Sequence, residues 1–309
     1  MNDTTLDLTA KVRQARNVAK AKGKIPDAVV EDVINGTDER YTPGTRRGAG
    51  AKRGEPQLKL WNDRVRGLPN AMARSALFSV SNKPRKTFKE IAVVSSSDFD
   101  MYYTGEEMRQ ADEDVFLQII HLARFRPLGE FVDVSGYQLL KALGWSFDSR
   151  SYKRLRESIE RLKTGNIKIN FKKEGKRGYF GSMVRKIAWA GETEGTTKWR
   201  VFLEPEIINL FDSDGYSLIL WEQRLQLRDL AKWLLSFYYT HAVPLPYKVE
   251  TIYGFCGSGA KTLAHFRAEL KLSLEDLKKV DFLEHWEIEP GSDLVKVVRK
   301  EQPKQVAMK

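Results

Sequence analysis

An α+β fold made of two successive units, each a pair of helices followed by a β-hairpin, is what this sequence predicts, on three observations. Thirteen of the 52 Lys and Arg residues lie between Ser149 and Lys186, opposed only by Glu157, Glu160 and Glu174, so this stretch carries +10 of the formal +11. The charge sits on a segment of helical period adjoining one of strand period, and each can bury one face while offering the other. The same order of elements returns after residue 212 without a repeat of the sequence. Helix, turn, basic helix and basic hairpin is the order of a winged helix. The prediction is therefore tandem winged-helix (helix-turn-helix plus β-hairpin) domains with a largely disordered N-terminal tail.

The expected divisions are a flexible basic tail over 1–67, a first domain over 68–211, a second over 212–300 and a C-terminal tail over 301–309. In the N-terminal tail, residues 8–24 suit a basic helix, and 35–56, rich in Gly, Thr, Arg and Pro, read as a mobile linker. Apolar density rises from Leu68, where strands at 90–95 and 99–103 precede an amphipathic helix near 112–123. Ser135 and Gln138 fit a capping box opening a short helix that Gly144 can end. The next helix runs from Ser149 to Lys163 and can be capped by Asp148 or Ser149. There Leu155, Ile159 and Leu162 recur at helical spacing and set Arg150, Lys153, Glu157 and Arg161 on the opposite side.

Residues 166–189 read as a hairpin. Ile167, Ile169 and Phe171 alternate with Lys168, Asn170 and Lys172, and Glu174 to Gly178 turns the chain into a strand from Tyr179 to Trp189. A strand at 198–203 and a short helix at 205–211 close the domain. The second domain opens with a strand at 216–221 and a helix at 227–239, whose Leu230, Leu234 and Phe237 share a face. A helix at 249–255 stops at the turn residues Cys256 to Gly259. Leu263, Phe266, Leu270, Leu274 and Leu277 mark a longer helix, and a hairpin at 286–298 turns at Pro290 to Asp293.

A footprint of this kind fits duplex DNA. In a winged helix the second helix enters the major groove, roughly 12 Å wide, where its exposed side chains meet base edges. Arg150, Lys153, Arg154, Glu157 and Arg161 are the candidates on that helix. Lys168, Lys172, Lys173, Lys176 and Arg177 would follow the backbone, giving affinity with little sequence information. Lys261, Thr262 and His265 lie on the open face of the corresponding helix in the second, less basic domain. The bland alternative is a solvated basic face.

The sequence offers no catalytic chemistry. The one cysteine, Cys256, excludes an internal disulfide and reads as a buried thiol in a reducing compartment. His121, His241, His265 and His285 stand at least 20 residues apart, so a nicking enzyme's paired-histidine metal site is absent, and Tyr102-Tyr103 and Tyr238-Tyr239 read as packing residues. Residues 257–262 are similar to a phosphate-binding loop but fail its spacing; Lys261 and Thr262 at a helix start can instead receive a DNA phosphate. With no long apolar run and no signal-peptide pattern at the N-terminus, the expectation is a cytoplasmic protein without membrane attachment, metal, cofactor or enzymatic activity.

From Leu68 to Lys300 the sequence resembles the TrfA replication initiators of IncP-type plasmids. The resemblance is carried by Leu68 to Phe78, Tyr103 to Glu107, Leu143-Gly144-Trp145, Val249 to Thr251 and Asp281 to His285. It implies two winged-helix domains that bind repeated sites (iterons) in double-stranded plasmid origin DNA and help open an AT-rich region, with single-stranded origin DNA as a further partner. It also implies recruitment of the host replicative helicase, the host initiator DnaA and the sliding clamp, and a homodimeric form. Gln57, Leu58, Leu60 and Trp61 look like the clamp-binding peptide of such initiators, here ending in Trp61 and carrying Lys59. An extended tail would leave its anchors free to dock. The alternative function is a DNA-binding transcriptional repressor of a plasmid operon, which needs the same domains and no clamp peptide.

Overall fold

The computed structural model describes residues 58, 60–126, 131–172, 178–190, 198–211 and 215–301. The expectations for 1–57, for the turn at 173–177 and for 302–309 fall outside them.

The chain enters through the fully buried β1 (Val65–Pro69), then a single turn, α1 (Asn70–Ala73), and the two-residue β2 (Phe78–Ser79). β3 (Thr87–Val93) and β4 (Phe99–Glu106) form an antiparallel pair with a bulge between Phe88 and Ile91. β5 (Met108–Arg109) pairs in parallel with β2 and leads into α2 (Gln110–Ala123).

The sequence predicts an amphipathic helix here, yet α2 is buried on every side. Its acidic first turn is neutralised by arginines from distant elements. Arg85 and Arg161 donate to Asp112 at 2.9 and 3.0 Å, and Arg224 donates to Glu113 at 3.0 Å and to Asp114 at 2.6 Å. Burial pushes the Glu113 carboxyl up and works against the charge on Arg224, but the facing carboxylates raise the Arg224 pKa nonetheless. Buried carboxylates are tolerated only with partners of this kind.

β6 (Phe131–Ser135) opens the helix-turn-helix, followed by α3 (Gly136–Leu143) and α4 (Ser149–Thr164). The predicted capping box forms: Ser135 Oγ accepts from the Gln138 N–H at 3.2 Å, and Gln138 Oε1 accepts from the Ser135 N–H at 3.0 Å. Gly144 ends α3 in the left-handed conformation, φ 66°, which glycine adopts without Cβ strain. Asp148 caps α4, accepting from the Ser151 N–H at 2.7 Å.

Next come β7 (Asn166–Phe171), β8 (Tyr179–Ser182), β9 (Lys186–Ala190) and β10 (Lys198–Phe202). The strand expected over 179–189 is two strands in different sheets. Ser182, Met183 and Val184 are buried in succession, which breaks the period of two and swings the chain from one sheet to the other. β7 and β8 extend β3 and β4 into a four-stranded sheet of order β3-β4-β7-β8, while β9 joins a three-stranded sheet of order β6-β10-β9.

After a 3-10 helix at Pro205–Phe211, β11 (Tyr216–Leu220) pairs back onto β1, Val65 opposite Leu220. The first apolar cluster thus runs through Ile219 and Trp221, past the division expected at 212, and a second cluster spans Leu227 to Val295. The second unit comprises α5 (Trp221–Leu225), α6 (Asp229–Tyr239), β12 (Tyr247–Lys248), α7 (Val249–Phe255), α8 (Leu263–Lys279), β13 (Leu283–Ile288) and β14 (Leu294–Arg299). Its sheet has the order β12-β14-β13.

Once β7 and β8 are set aside, which intervene between α4 and β9 and belong to the four-stranded sheet, the two units share one connectivity: a helix, a short strand, two helices and two antiparallel strands, with sheet order first, last, middle. Among the described residues, no helix is long and apolar enough to cross a membrane.

Candidate nucleic-acid interface

Helix α4 buries Tyr152, Leu155, Ile159 and Leu162 and exposes Arg150, Lys153 and Arg154 near its start. The Arg154 guanidinium lies 4.1 Å from the centre of the Trp145 ring, which holds a long cation in place without neutralising it. Lys153 is within 3.9 Å of the half-exposed Glu157, a weak surface pair.

Arg161 corrects the sequence reading. It is buried and bonded to Asp112, so it is structural rather than a DNA contact. The helical phase that groups it with Arg150 is sound, but α2 covers the C-terminal half of α4 and Asp112 occupies the space a phosphate would need.

The hairpin lysines also sit differently from the expectation. Lys168 is exposed on the four-stranded sheet, its ammonium 5.7 Å from the Tyr102 ring, and Lys172 pairs with Asp100 at 3.0 Å. Lys173, Lys176 and Arg177 lie outside the described residues. The strands that close the helix-turn-helix sheet are β9 and β10, with exposed Arg185, Lys186 and Lys198. The sequence places Arg185 and Lys186 in the basic stretch and a strand at 198–203 but does not join the two as a wing, because the residues between them, Gly191 to Thr197, hold two glutamates and no cation. The available signal was the apolar alternation of Ile187, Trp189, Trp199 and Val201 on either side of that stretch.

At the start of α8, Lys261, Thr262 and His265 are exposed together. Thr262 is the cap residue, its hydroxyl accepting from the His265 N–H at 3.2 Å. Arg267 binds Asp293 at 2.7 Å and ties α8 to the loop between β13 and β14.

The peptide beginning at Gln57 departs from its expected free state. Gln57 is outside the described residues, but Leu58 and Trp61 are 2% and 1% exposed and Leu60 is half-buried. The Trp61 ring stacks on Phe211 at 6.3 Å, its Nε1 donates to His121 Nδ1 at 3.0 Å, and its carbonyl accepts from Arg124 Nε at 3.0 Å. An indole needs apolar walls and one acceptor, and α2 with the 3-10 helix supplies both. Burial, with the charges of Arg66 and Arg124, lowers the His121 pKa to about 3, so the ring is neutral and Nδ1 is free to accept.

Aromatic groups beside the basic helix escaped the sequence reading. Tyr137 and Phe147 stack at 4.9 Å next to the start of α4 while 49% and 54% exposed, and Phe180 on β8 is 78% exposed. Their pattern in the sequence is that of ordinary core residues.

Cys256 is buried, and burial pushes its thiol up to about 12. Tyr103 and Tyr238 are buried and burial raises their phenols further from ionisation. Among the described residues, no group of three His, Cys, Asp or Glu could hold a metal ion.

A family model described as TrfA protein matches residues 55–299. The plasmid replication initiator protein TrfA of Escherichia coli is 30% identical over 240 residues, 75% of this chain. The match spans 63% of that relative's own length, less than two thirds. Two crystal structures of domains 2 and 3 of RctB are similar at TM-scores of 0.48 and 0.47, each with 12% identity and covering 72% of this chain and 95% of theirs.

Proposed function

Since the chain belongs to the TrfA family, we propose that it is a sequence-specific DNA-binding initiator of plasmid replication. It binds iterons at a plasmid origin, promotes opening of the adjacent duplex and recruits host replication proteins, acting in the bacterial cytoplasm and catalysing no reaction of its own. The observation that carries this reading is the shared connectivity of the two units, with sheet orders β6-β10-β9 and β12-β14-β13. Each is read as a winged helix, with α4 and α8 as the helices that enter the major groove and β9–β10 and β13–β14 as the wings.

Arg150, Lys153 and Arg154 project from the start of α4, the end that approaches base edges in such docking. Lys261 and His265 hold the same place on α8. Two such helices in one chain reach major-groove segments about one helical turn, roughly 10 base pairs, apart. The buried Arg224 cluster joins α2 of the first unit to α5 and α6 of the second, which supports reading the pair as one body. A body that engages two successive grooves favours bent DNA, and the cost of that bend depends on the sequence deformed, which supplies the route to opening.

The burial of Trp61 favours one competing reading, a repressor that uses the same two units without a clamp contact. Footprinting of the full chain on its own plasmid origin, with random competitor at near-physiological salt, tests the initiator. Protection recurring at tandem sites, with distortion of a neighbouring AT-rich segment, is the expected result. Protection at one promoter operator without such distortion supports the repressor, and weak uniform protection overturns sequence-specific binding altogether.

A further inference from the structure

We propose that Tyr137 and Phe147 form a thymine-reading element of the first unit, in which Phe147 meets the 5-methyl group of a thymine in the major groove and Tyr137 holds its ring in place. The two lie at one end of the helix pair. Tyr137 is in the first turn of α3, and Phe147 immediately precedes Asp148, the cap of α4. The backbone at Gly136 runs so close to α4 that a Cβ there would stand 2.8 Å from the Tyr152 ring, which sets the starts of both helices side by side. The two rings stack at 4.9 Å with 25° between their planes, 49% and 54% exposed.

The structural alternative for Phe147 is a staple over the start of α4, in which the residue before the cap packs on the fourth helical position, here Tyr152. A staple buries its ring. Tyr152 is 8% exposed, whereas Phe147 stacks on Tyr137 and keeps more than half of its surface in water. From Ser146 to Arg150 every residue is exposed, and Phe147 is the one apolar side chain of these five. The exposed cations Arg150, Lys153 and Arg154 follow within the first two turns of α4, so the surface that carries the rings suits a polyanion.

In a helix-turn-helix the first helix crosses the DNA backbone and the start of the second meets base edges, so a side chain at that start has a base edge within reach. Asp148 turns the phosphates away from it. Its carboxylate accepts from the Ser151 N–H and from the Ser146 hydroxyl, each at 2.7 Å, so the N-terminus of α4 already holds an anion. Of the four bases, thymine alone offers an apolar group in the major groove, and Phe is among the side chains that meet it. A ring already held by Tyr137 also gives up little rotamer freedom on binding. The inference rests on the major-groove reading of α4 and deepens it: Arg150, Lys153 and Arg154 suit guanine and phosphate, and the aromatic pair adds thymine.

The test is fluorescence anisotropy of the full chain with its footprinted origin duplex and with copies in which single thymines of the protected segment are replaced by uracil, which lacks the methyl and keeps the pairing. One methyl group taken out of water is worth about fourfold in affinity. The native chain is expected to lose that much at one thymine, whereas Phe147→Ala should bind the thymine and uracil duplexes equally there. Tyr137→Ala should lose the same discrimination and Tyr137→Phe retain it, a readout that a purely structural role does not move. The uracil series with the native chain requires no variant to fold, and if no single replacement weakens binding the proposal is overturned. Discrimination that survives Phe147→Ala overturns it as well. Equal binding of origin and random duplex by the native chain overturns the major-groove reading and this inference with it, while specific binding with no thymine preference tied to Phe147 overturns this inference alone.

Discussion

Replacing Trp61 with Ala tests whether the segment before β1 is core or tail. The indole is 1% exposed, packed on Phe211 and Tyr216, and its ring fills the space a Cβ on Gly67 would take, 2.8 Å away. Deleting a buried aromatic costs about 3–5 kcal/mol through lost transfer energy and the residual cavity. The change also leaves His121 Nδ1, which accepts from the indole at 3.0 Å, without that donor, a loss of about 1 kcal/mol or more. A total of at least about 4 kcal/mol is a large part of a typical domain's stability, roughly 5–15 kcal/mol. Urea denaturation followed by circular dichroism should show a midpoint shift of that size at unchanged slope.

The same figure bears on clamp recruitment, because Trp61 must leave its pocket before it can enter another. At about 1.4 kcal/mol per factor of ten, an undocking cost near 4 kcal/mol weakens clamp binding by the full chain roughly 10³-fold relative to the free peptide. Surface plasmon resonance of a synthetic peptide spanning residues 55–63 against the full chain measures that ratio. A destabilisation below about 1 kcal/mol in Trp61→Ala, or equal clamp affinities for peptide and chain, would refute the reasoning.

Four further outcomes are expected. Arg150→Ala or Lys153→Ala should cost about 1–3 kcal/mol on origin duplex if the side chain makes a bidentate base contact, and less on random duplex; equal titrations on both would remove α4 from the groove. Arg224→Met leaves Glu113 and Asp114 buried without their main partner and should lower stability by about 3–5 kcal/mol, with partial recovery when Glu113→Gln and Asp114→Asn are added; calorimetry checks it. His121 has a folded pKa of about 3 against an ordinary 6.5, so between those values the unfolded chain binds the proton and the folded chain does not. Its contribution is whole above pH 6.5 and falls with pH at about 1.4 kcal/mol per unit, near 2 kcal/mol by pH 5; His121→Gln should flatten that part of the stability profile. Lys172→Ala should leave the duplex salt slope nearly unchanged, because Lys172 follows β7 of the four-stranded sheet rather than a wing and is paired with Asp100 at 3.0 Å; a drop of about one unit in salt titrations would return it to the duplex.

Much of the helical framework was legible in the sequence because its signals are local. The capping box at Ser135 and Gln138, the stop at Gly144, the cap at Asp148 and the helix at Val249–Phe255 each depend on residues within one turn of each other. The basic start of α4 is likewise a property of neighbours in sequence. Sheet membership is not. Residues 166–171 and 179–189 read as strands in the sequence, but which strands they pair with depends on β3, β4, β6 and β10, far away along the chain.

The composition and short-range pattern of this chain determined that it is mixed α and β, that one region concentrates its positive charge, and that the element order recurs. Tertiary structure decided which of those charges remain available. Arg161 looks like a surface cation in sequence, and both it and Arg224 are buried because α2 brings Asp112, Glu113 and Asp114 against them. Trp61 looks like a tail residue and becomes core because His121, Phe211 and Arg124 converge on it. Phe180 looks like core and is left outside because its strand neighbour Tyr179 takes the inward position. For Arg161, Arg224 and Trp61 the deciding partners lie tens of residues away, where periodicity along the chain carries no information about them.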